Sequence, residues 1–232
     1  MSEKKFDVTA LGELLIDFTE NGLSGQGNTL FEANPGGAPC NVLAMLKKLG
    51  RSCAFVGKVG DDMFGRLLGD VAAEAGICMD YLVFDKDVRT TLAFVKTFPN
   101  GDRDFSFYRN PGADMMLTEE ELPLDVIAGS RIFHFGTLSM THEGVRKATC
   151  KAIDHAKQSG AILSFDPNLR PPLWARWGRI CSAICCGMWR RRRASAWITW
   201  CSIRTCAPPW PSLRPSPMVT GISPSTATPA RT

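Results

Sequence analysis

Apolar positions in this chain alternate between two periods. Residues 6–16 (FDVTALGELLI) form a near-continuous apolar run, which predicts a first strand buried on both faces of a parallel sheet. Asp17 would then close that strand at its carboxyl end, the edge where open α/β sheets bind ligands. A strand-ending turn residue is an equal reading of Asp17. Residues 23–33 are polar and glycine-bearing, then weakly alternating, which suggests a short strand or flap. Val42, Met45, Leu46 and Leu49 recur at i, i+3, i+4 and i+7, one face of a helix. Residues 53–59 read as a second buried strand. Phe64, Leu67, Leu68 and Val71 mark the next helix, with Asp61 or Asp62 as its N-cap. After a short apolar stretch at 81–84, residues 90–98 and 103–108 flank Pro99-Asn100-Gly101-Asp102. Proline and Asn-Gly supply turn dihedrals, so this is a hairpin. Residues 131–138 and 162–165 read as further strands, separated by a helix with Val145, Ala148, Ala152 and Ala156 on one face. His134, inside the first of these strands, reads as a packed core histidine. Strand and helix alternate throughout, the pattern of a parallel α/β sheet, and the hairpin predicts a small β element projecting from it.

The stretch NPGGAPCNVLAMLKKLG, residues 34–50, stands out chemically. Gly36 and Gly37 precede a helix, where a missing Cβ lets a ligand approach the backbone. The free N–H groups of the first helical turn face that approach. Pro39 suits the first turn because its absent N–H had no partner there. Asn41 adds a side-chain donor and acceptor, a mixture that fits a polyhydroxyl ligand. A glycine turn that only starts a helix explains the same residues when they are taken alone. Arg109, Asn110 and Asp114 in RNPGAD form a polar loop that could reach a ligand or simply turn.

Charge changes the picture at one point. Residues 1–174 carry 18 Lys and Arg against 23 Asp and Glu, a net of −5, whereas residues 175–232 carry nine Arg and no acid. Five of nine Cys and five of six Trp also fall in that last segment. The overall charge of +4 therefore describes neither part and gives no support for a nucleic-acid partner. Cys40, Cys53, Cys78 and Cys150 are scattered, as expected of reduced cytosolic thiols. The N-terminal residues lack the apolar core of a signal peptide, and no run has the length of a membrane span, so the expected location is cytoplasmic.

Six ordered motifs, GELLIDF at 12–18, NPGGAPCN at 34–41, LG at 49–50, VGKVGDDMFG at 56–65, FYRNPGADM at 107–115 and DPNLRPPLW at 166–174, together resemble the ribokinase-like carbohydrate kinases of the PfkB type. The likeness is greatest to bacterial fructokinases, through the last two. Leu43 departs from it, standing where a small residue is usual. The resemblance implies an α/β fold, a three-layer α/β/α sheet with a small β lid (about residues 15–35 and 88–112), incomplete at its C-terminal end. It implies transfer of the γ-phosphoryl of ATP, with Mg2+, to a sugar hydroxyl, fructose being the expected acceptor. Asp17, Gly36, Gly37 and Asn41 match positions that hold sugar hydroxyls. Ala93 and Val95 match the lid, and Arg109 matches a polar contact near the sugar. Asp166, Asn168 and Arg170 fall at the strand end facing phosphoryl transfer. Relatives also dimerise through the lid.

In that family the metal-proximal Asn-x-x-Glu segment and the Gly-Ala-Gly-Asp helix start come late in the chain. The aspartate there takes the proton of the sugar hydroxyl. Here no Asp or Glu follows Asp166 and no Gly-x-Gly follows Arg170. Residues 1–174 thus read as the N-terminal part of a sugar kinase domain, and residues 175–232 as an unrelated, out-of-frame and disordered tail. No catalytic residue is then expected in the chain, and no metal ligand can be assigned. The chain is expected to lack kinase activity and to keep at most sugar binding. The tail admits two other readings. Arg190 to Arg193 with Trp189 and Trp197 could contact nucleic acid. Cys181, Cys185, Cys186, Cys201 and Cys206 lack the spacing and histidines of a metal site.

Overall fold

The computed structural model describes residues 4–98, 100 and 103–168. Its centre is a five-stranded sheet of β1 (Phe6–Leu11), β4 (Cys53–Gly60), β5 (Leu82–Asp85), β8 (Ser130–Gly136) and β9 (Ile162–Asp166). The order is β5-β4-β1-β8-β9, and every pairing is parallel. The first strand is thus central, hydrogen-bonded on both sides, which accounts for its apolar run. Its one polar interior position, Thr9, places its hydroxyl 2.5 Å from that of Ser130, so neither is left without a partner in the core.

Among the described residues two helices cover each face. Helices α1 (Ala38–Lys48) and α2 (Met63–Glu74) pack on Val8, Ala10, Cys53 and Phe55. On the other face α3 (Leu124–Ala128) and α4 (Glu143–Gln158) cover Leu11, Val56, Phe133 and Phe135. The result is the three-layer α/β/α arrangement of the ribokinase-like fold. Helix α4 buries Val145, Ala148, Ala152 and Ala156 as its period predicts. Helix α1 does not bury the face read from sequence. Met45 and Leu49 are 58% and 66% exposed, whereas Pro39, Cys40 and Leu43 are buried. The period is right and the phase is wrong, because Pro39 fixes the rotation. It packs so closely on Gly12 that a Cβ there would stand 2.5 Å from Pro39 Cγ. The unusual Leu43 is fully buried in this interface.

Asp62 caps α2, its Oδ1 accepting from the N–H groups of Phe64 and Gly65. Its carboxylate also accepts from the N–H and hydroxyl of Thr90. Asp61 instead pairs with Arg66. His134 is a core residue, Nδ1 lying 3.0 Å from Ser164 Oγ, and burial lowers its pKa so that the neutral ring is favoured. Lys58 is buried between Asp85 and Glu121, at 3.2 and 2.8 Å. Cys40, Cys53, Cys78 and Cys150 are free thiols.

The projecting element is larger than a hairpin. Strands β2 (Leu15–Leu23), β3 (Thr29–Gly36), β6 (Leu92–Thr97) and β7 (Arg103–Tyr108) form a second sheet ordered β3-β2-β6-β7. Its β2–β6 pairing is parallel and the outer two are antiparallel, a mixed lid. The run 6–16 is therefore two strands in two sheets, parting at Gly12, and not one strand ending at Asp17. The apolar count could not reveal this, since both strands are apolar on either side of the break. On one lid face Phe18 stacks on Phe94 at 5.0 Å, with Phe31, Phe64 and Tyr108 edge-on to that pair. Pro99, Gly101 and Asp102 of the hairpin turn, Arg170 and the segment 175–232 lie outside the described residues. Among the described residues no helix is long and apolar enough to cross a membrane.

Candidate functional site

The carboxyl ends of β1, β8 and β9 converge on the start of α1. Pro39 packs on Gly12, and its Cγ lies 3.8 Å from where a Cβ on Gly136 would stand. Gly136 is paired with Asp166 on β9. Strands β2 and β3 leave this junction side by side, so the lid is rooted beside the glycine pair.

The two glycines serve different ends. Gly36 closes β3, and a Cβ there would stand 2.5 Å from Asp17 Oδ2. Its absence makes room for the carboxylate. Gly37 has φ +128, a conformation that side chains resist, and a Cβ on it would run into the Glu13 carbonyl. Its absence makes room for the backbone of residues 13–14. Helix α1 begins at once, with Pro39 in its first turn and the Asn41 N–H donating to the Gly37 carbonyl at 3.0 Å. Asn41 is exposed.

Asp17 stands inside β2, not at a strand tip, paired with Asn34 on one side and Ala93 on the other. Val95 pairs with Thr19, two residues on, so both lid residues share the face of Asp17. Asp17, Gly36, Gly37, Ala93 and Val95 are thereby brought together. Arg109 is engaged elsewhere. Its Nε lies 2.9 Å from Asp114 Oδ2, its Nη1 donates to Thr141 Oγ1 at 3.1 Å, and its Nη2 to the Leu138 carbonyl at 3.1 Å. Asp114 also accepts from the hydroxyl of Thr91, at the root of β6. The Arg109–Asp114 pair is thus a clamp joining the lid root to the segment after β8, with Asp114 buried and Asn110 and Pro111 exposed. Asp166 ends β9, and its Oδ1 accepts from the Asn168 N–H at 2.8 Å.

Sequence reading missed Glu13 and understated Asp114. Glu13 is 2% exposed. Its Oε1 accepts the Ala38 N–H at 2.9 Å, and its Oε2 has no partner among the described residues. Burial pushes this carboxyl up to about 7, and the charge of Asp114 adds to the rise. The hydrogen bonds and Arg109 oppose it. The available signal was a lone carboxylate in the middle of an apolar run, which needs a partner.

Among the described residues no three His, Cys, Asp or Glu side chains cluster as metal ligands. Two surface grooves, one of about 480 Å³ along α4 and one of about 430 Å³ on the lid, are not lined by Asp17.

A profile of the pfkB family carbohydrate kinases matches residues 5–185. The chain belongs to this family. Fructokinase of Solanum tuberosum is 48% identical over 170 residues, covering 72% of this chain and 53% of that protein. Fructokinase-2 of Oryza sativa subsp. japonica is 48% identical over 169 residues, covering 72% and 50%. The crystal structure of fructokinase from Xylella fastidiosa superposes with a TM-score of 0.69 at 37% identity, covering 76% of this chain and 57% of that one. Its form with bound ATP gives 0.69 at 36%. The chain spans about half the length of the curated relatives it matches.

Proposed function

We propose that this chain carries the sugar-binding half of an ATP-dependent carbohydrate kinase whose acceptor is fructose. One observation carries the reading. The Asp17 carboxylate, carried on the lid strand β2, lodges against Gly36 beside a glycine-led helix start. A carboxylate accepts from a pair of vicinal hydroxyls, while backbone N–H groups and the Asn41 amide donate to others. Ala93 and Val95 are buried apolar residues on the same sheet face as Asp17, and lid opening would offer them to a sugar's C–H face. Lid closure would exclude water, which competes with the sugar as phosphoryl acceptor. Fructose is preferred among sugars because curated relatives of similar identity bear the name fructokinase.

Arg109 supports the cradle indirectly in this reading, because its fork is taken up by Asp114, Thr141 and Leu138. Asp166 and Asn168 border the phosphoryl-transfer region, and Arg170 belongs with them by sequence. Exposed Phe31, Phe107 and Tyr108 on the lid suit a lid-mediated homodimer.

Transfer itself needs charge neutralisation on the moving phosphoryl and an acceptor for the hydroxyl proton. No Asp or Glu follows Asp166 to provide the late aspartate, so the 232-residue chain is expected to bind sugar without turning it over. Isothermal titration with fructose in the absence of nucleotide tests binding. A coupled assay for ADP release with fructose and Mg-ATP tests turnover. Saturable binding with no ADP release is expected; turnover by the purified chain would overturn the inactive reading, and no binding would overturn the cradle.

A further inference from the structure

One buried group near the cradle has no place in the sugar contacts just described. Glu13 stands between β1 and β2, four residues before Asp17. Ala38 stands two residues after Gly36. The Glu13 Oε1 to Ala38 N–H bond therefore ties together the two segments that form the cradle. The flanking residues leave little slack. Gly12 packs on Pro39, and Gly37 lies directly over the Glu13 carbonyl. The side chain also occupies the first orphan N–H of an eleven-residue helix.

We propose that Glu13 is a positioning residue for sugar binding, holding the Gly36–Gly37 turn and the start of α1 against the strand that carries Asp17. This rests on the sugar-binding reading above. The groups that face Glu13 decide which form of it can do this. Asp114 repels its charge, Arg109 attracts it but is already paired with Asp114, and the Cys40 thiol in the first turn of α1 adds no cation. The second oxygen, Oε2, has no donor among the described residues. An ionised carboxylate there is favoured by its own N–H, the Ala38 N–H and Arg109, but burial outweighs them and Oε2 stays unmatched, whereas the protonated form leaves one hydroxyl unmatched and still offers Oε1 to Ala38. Protonated Glu13 is therefore the holding form. Its ionisation draws the side chain toward water and loosens the cradle. Sugar binding, which needs the held cradle, is linked to keeping that proton.

The test is isothermal titration of fructose into the full chain at about pH 6 and about pH 8, for wild type, Glu13→Gln and Glu13→Ala. Wild-type affinity is expected to fall by roughly three- to tenfold between the two. Glu13→Gln, whose amide oxygen can still accept from Ala38, is expected to hold the affinity seen at the lower pH at both. Glu13→Ala is expected to lose about tenfold at both, the size of one lost hydrogen bond between buried partners. Should Glu13→Ala not fold, the pH profile of Glu13→Gln decides. A Glu13→Gln profile that parallels wild type, or a folded Glu13→Ala that binds as wild type does, overturns the inference alone. A wild-type chain without fructose affinity overturns the proposed function and takes this inference with it.

Discussion

The Oδ2 atom of Asp17 lies 2.5 Å from the position a Cβ would take on Gly36. Gly36 is extended at the end of β3, so its backbone gives no reason for glycine. The requirement comes from the neighbouring carboxylate. Because the clash of an added methyl is with the tip of a side chain, the backbone can stay while the carboxylate moves. Gly36→Ala and Asp17→Asn are therefore both expected to weaken fructose binding about ten- to a hundredfold, with a thermal midpoint close to wild type. Titration calorimetry beside thermal denaturation checks both halves. An unchanged affinity would remove Asp17 from the cradle.

Gly37 makes the opposite case. Its φ of +128 and its contact with the Glu13 carbonyl are both backbone constraints. Gly37→Ala is expected to destabilise the fold by about 2 kcal/mol or more, through strain and displacement of residues 13–14. Urea denaturation followed by circular dichroism measures it. Paired with Gly36→Ala, it separates loss of a contact from loss of structure.

The contrast between these glycines marks how far sequence reading reaches. The glycine pair, an aspartate cap at 61 or 62, the hairpin pairing and the buried stripe of α4 are local, and short-range chemistry specifies each. What escaped was set by contacts between distant segments. Gly12, at the break, packs on Pro39, 27 residues later in the chain, and the apolar run by itself carries no mark of the change of sheet. The same proline rotates α1 and exposes Met45 and Leu49, which periodicity alone places inside. Arg109, in a polar loop, reads equally as a residue reaching a ligand or as part of a turn. Its commitment to Asp114, Thr141 and Leu138 appears only when the loop, the lid root and the segment after β8 are brought together. Glu13 is not marked in the sequence, because a carboxylate held by backbone N–H groups leaves no spacing pattern.

That commitment makes Arg109 a structural element first. The pair with Asp114 is 10% and 2% exposed at the side chains, so removing one partner leaves a buried charge. Arg109→Ala is expected to destabilise by about 3–5 kcal/mol. Arg109→Lys keeps the charge but loses the fork that reaches Asp114, Thr141 and Leu138 at once, and about half of that loss is expected to remain. Chemical denaturation of the two variants measures both. A full loss of sugar binding with unchanged stability would instead make Arg109 a direct contact.

Glu13 gives a pH dependence of stability with a definite sign. Its carboxyl rises from 4.5 to about 7 on folding, chiefly by burial, so the unfolded chain releases this proton first as pH increases. The contribution is fully favourable below about pH 4.5, declines through the interval, and is lost above about pH 7. The whole span corresponds to a loss on the order of 3 kcal/mol. Glu13→Gln removes the titration and keeps the acceptor for Ala38. The variant is expected to match wild type at about pH 4.5 and to melt at a higher temperature at about pH 8. Thermal denaturation across that range, with the difference between the two proteins plotted against pH, isolates this group from the other carboxylates. A difference that stays flat would place Glu13 in contact with water or with a cation, and its ionised form would then be the one that holds Ala38.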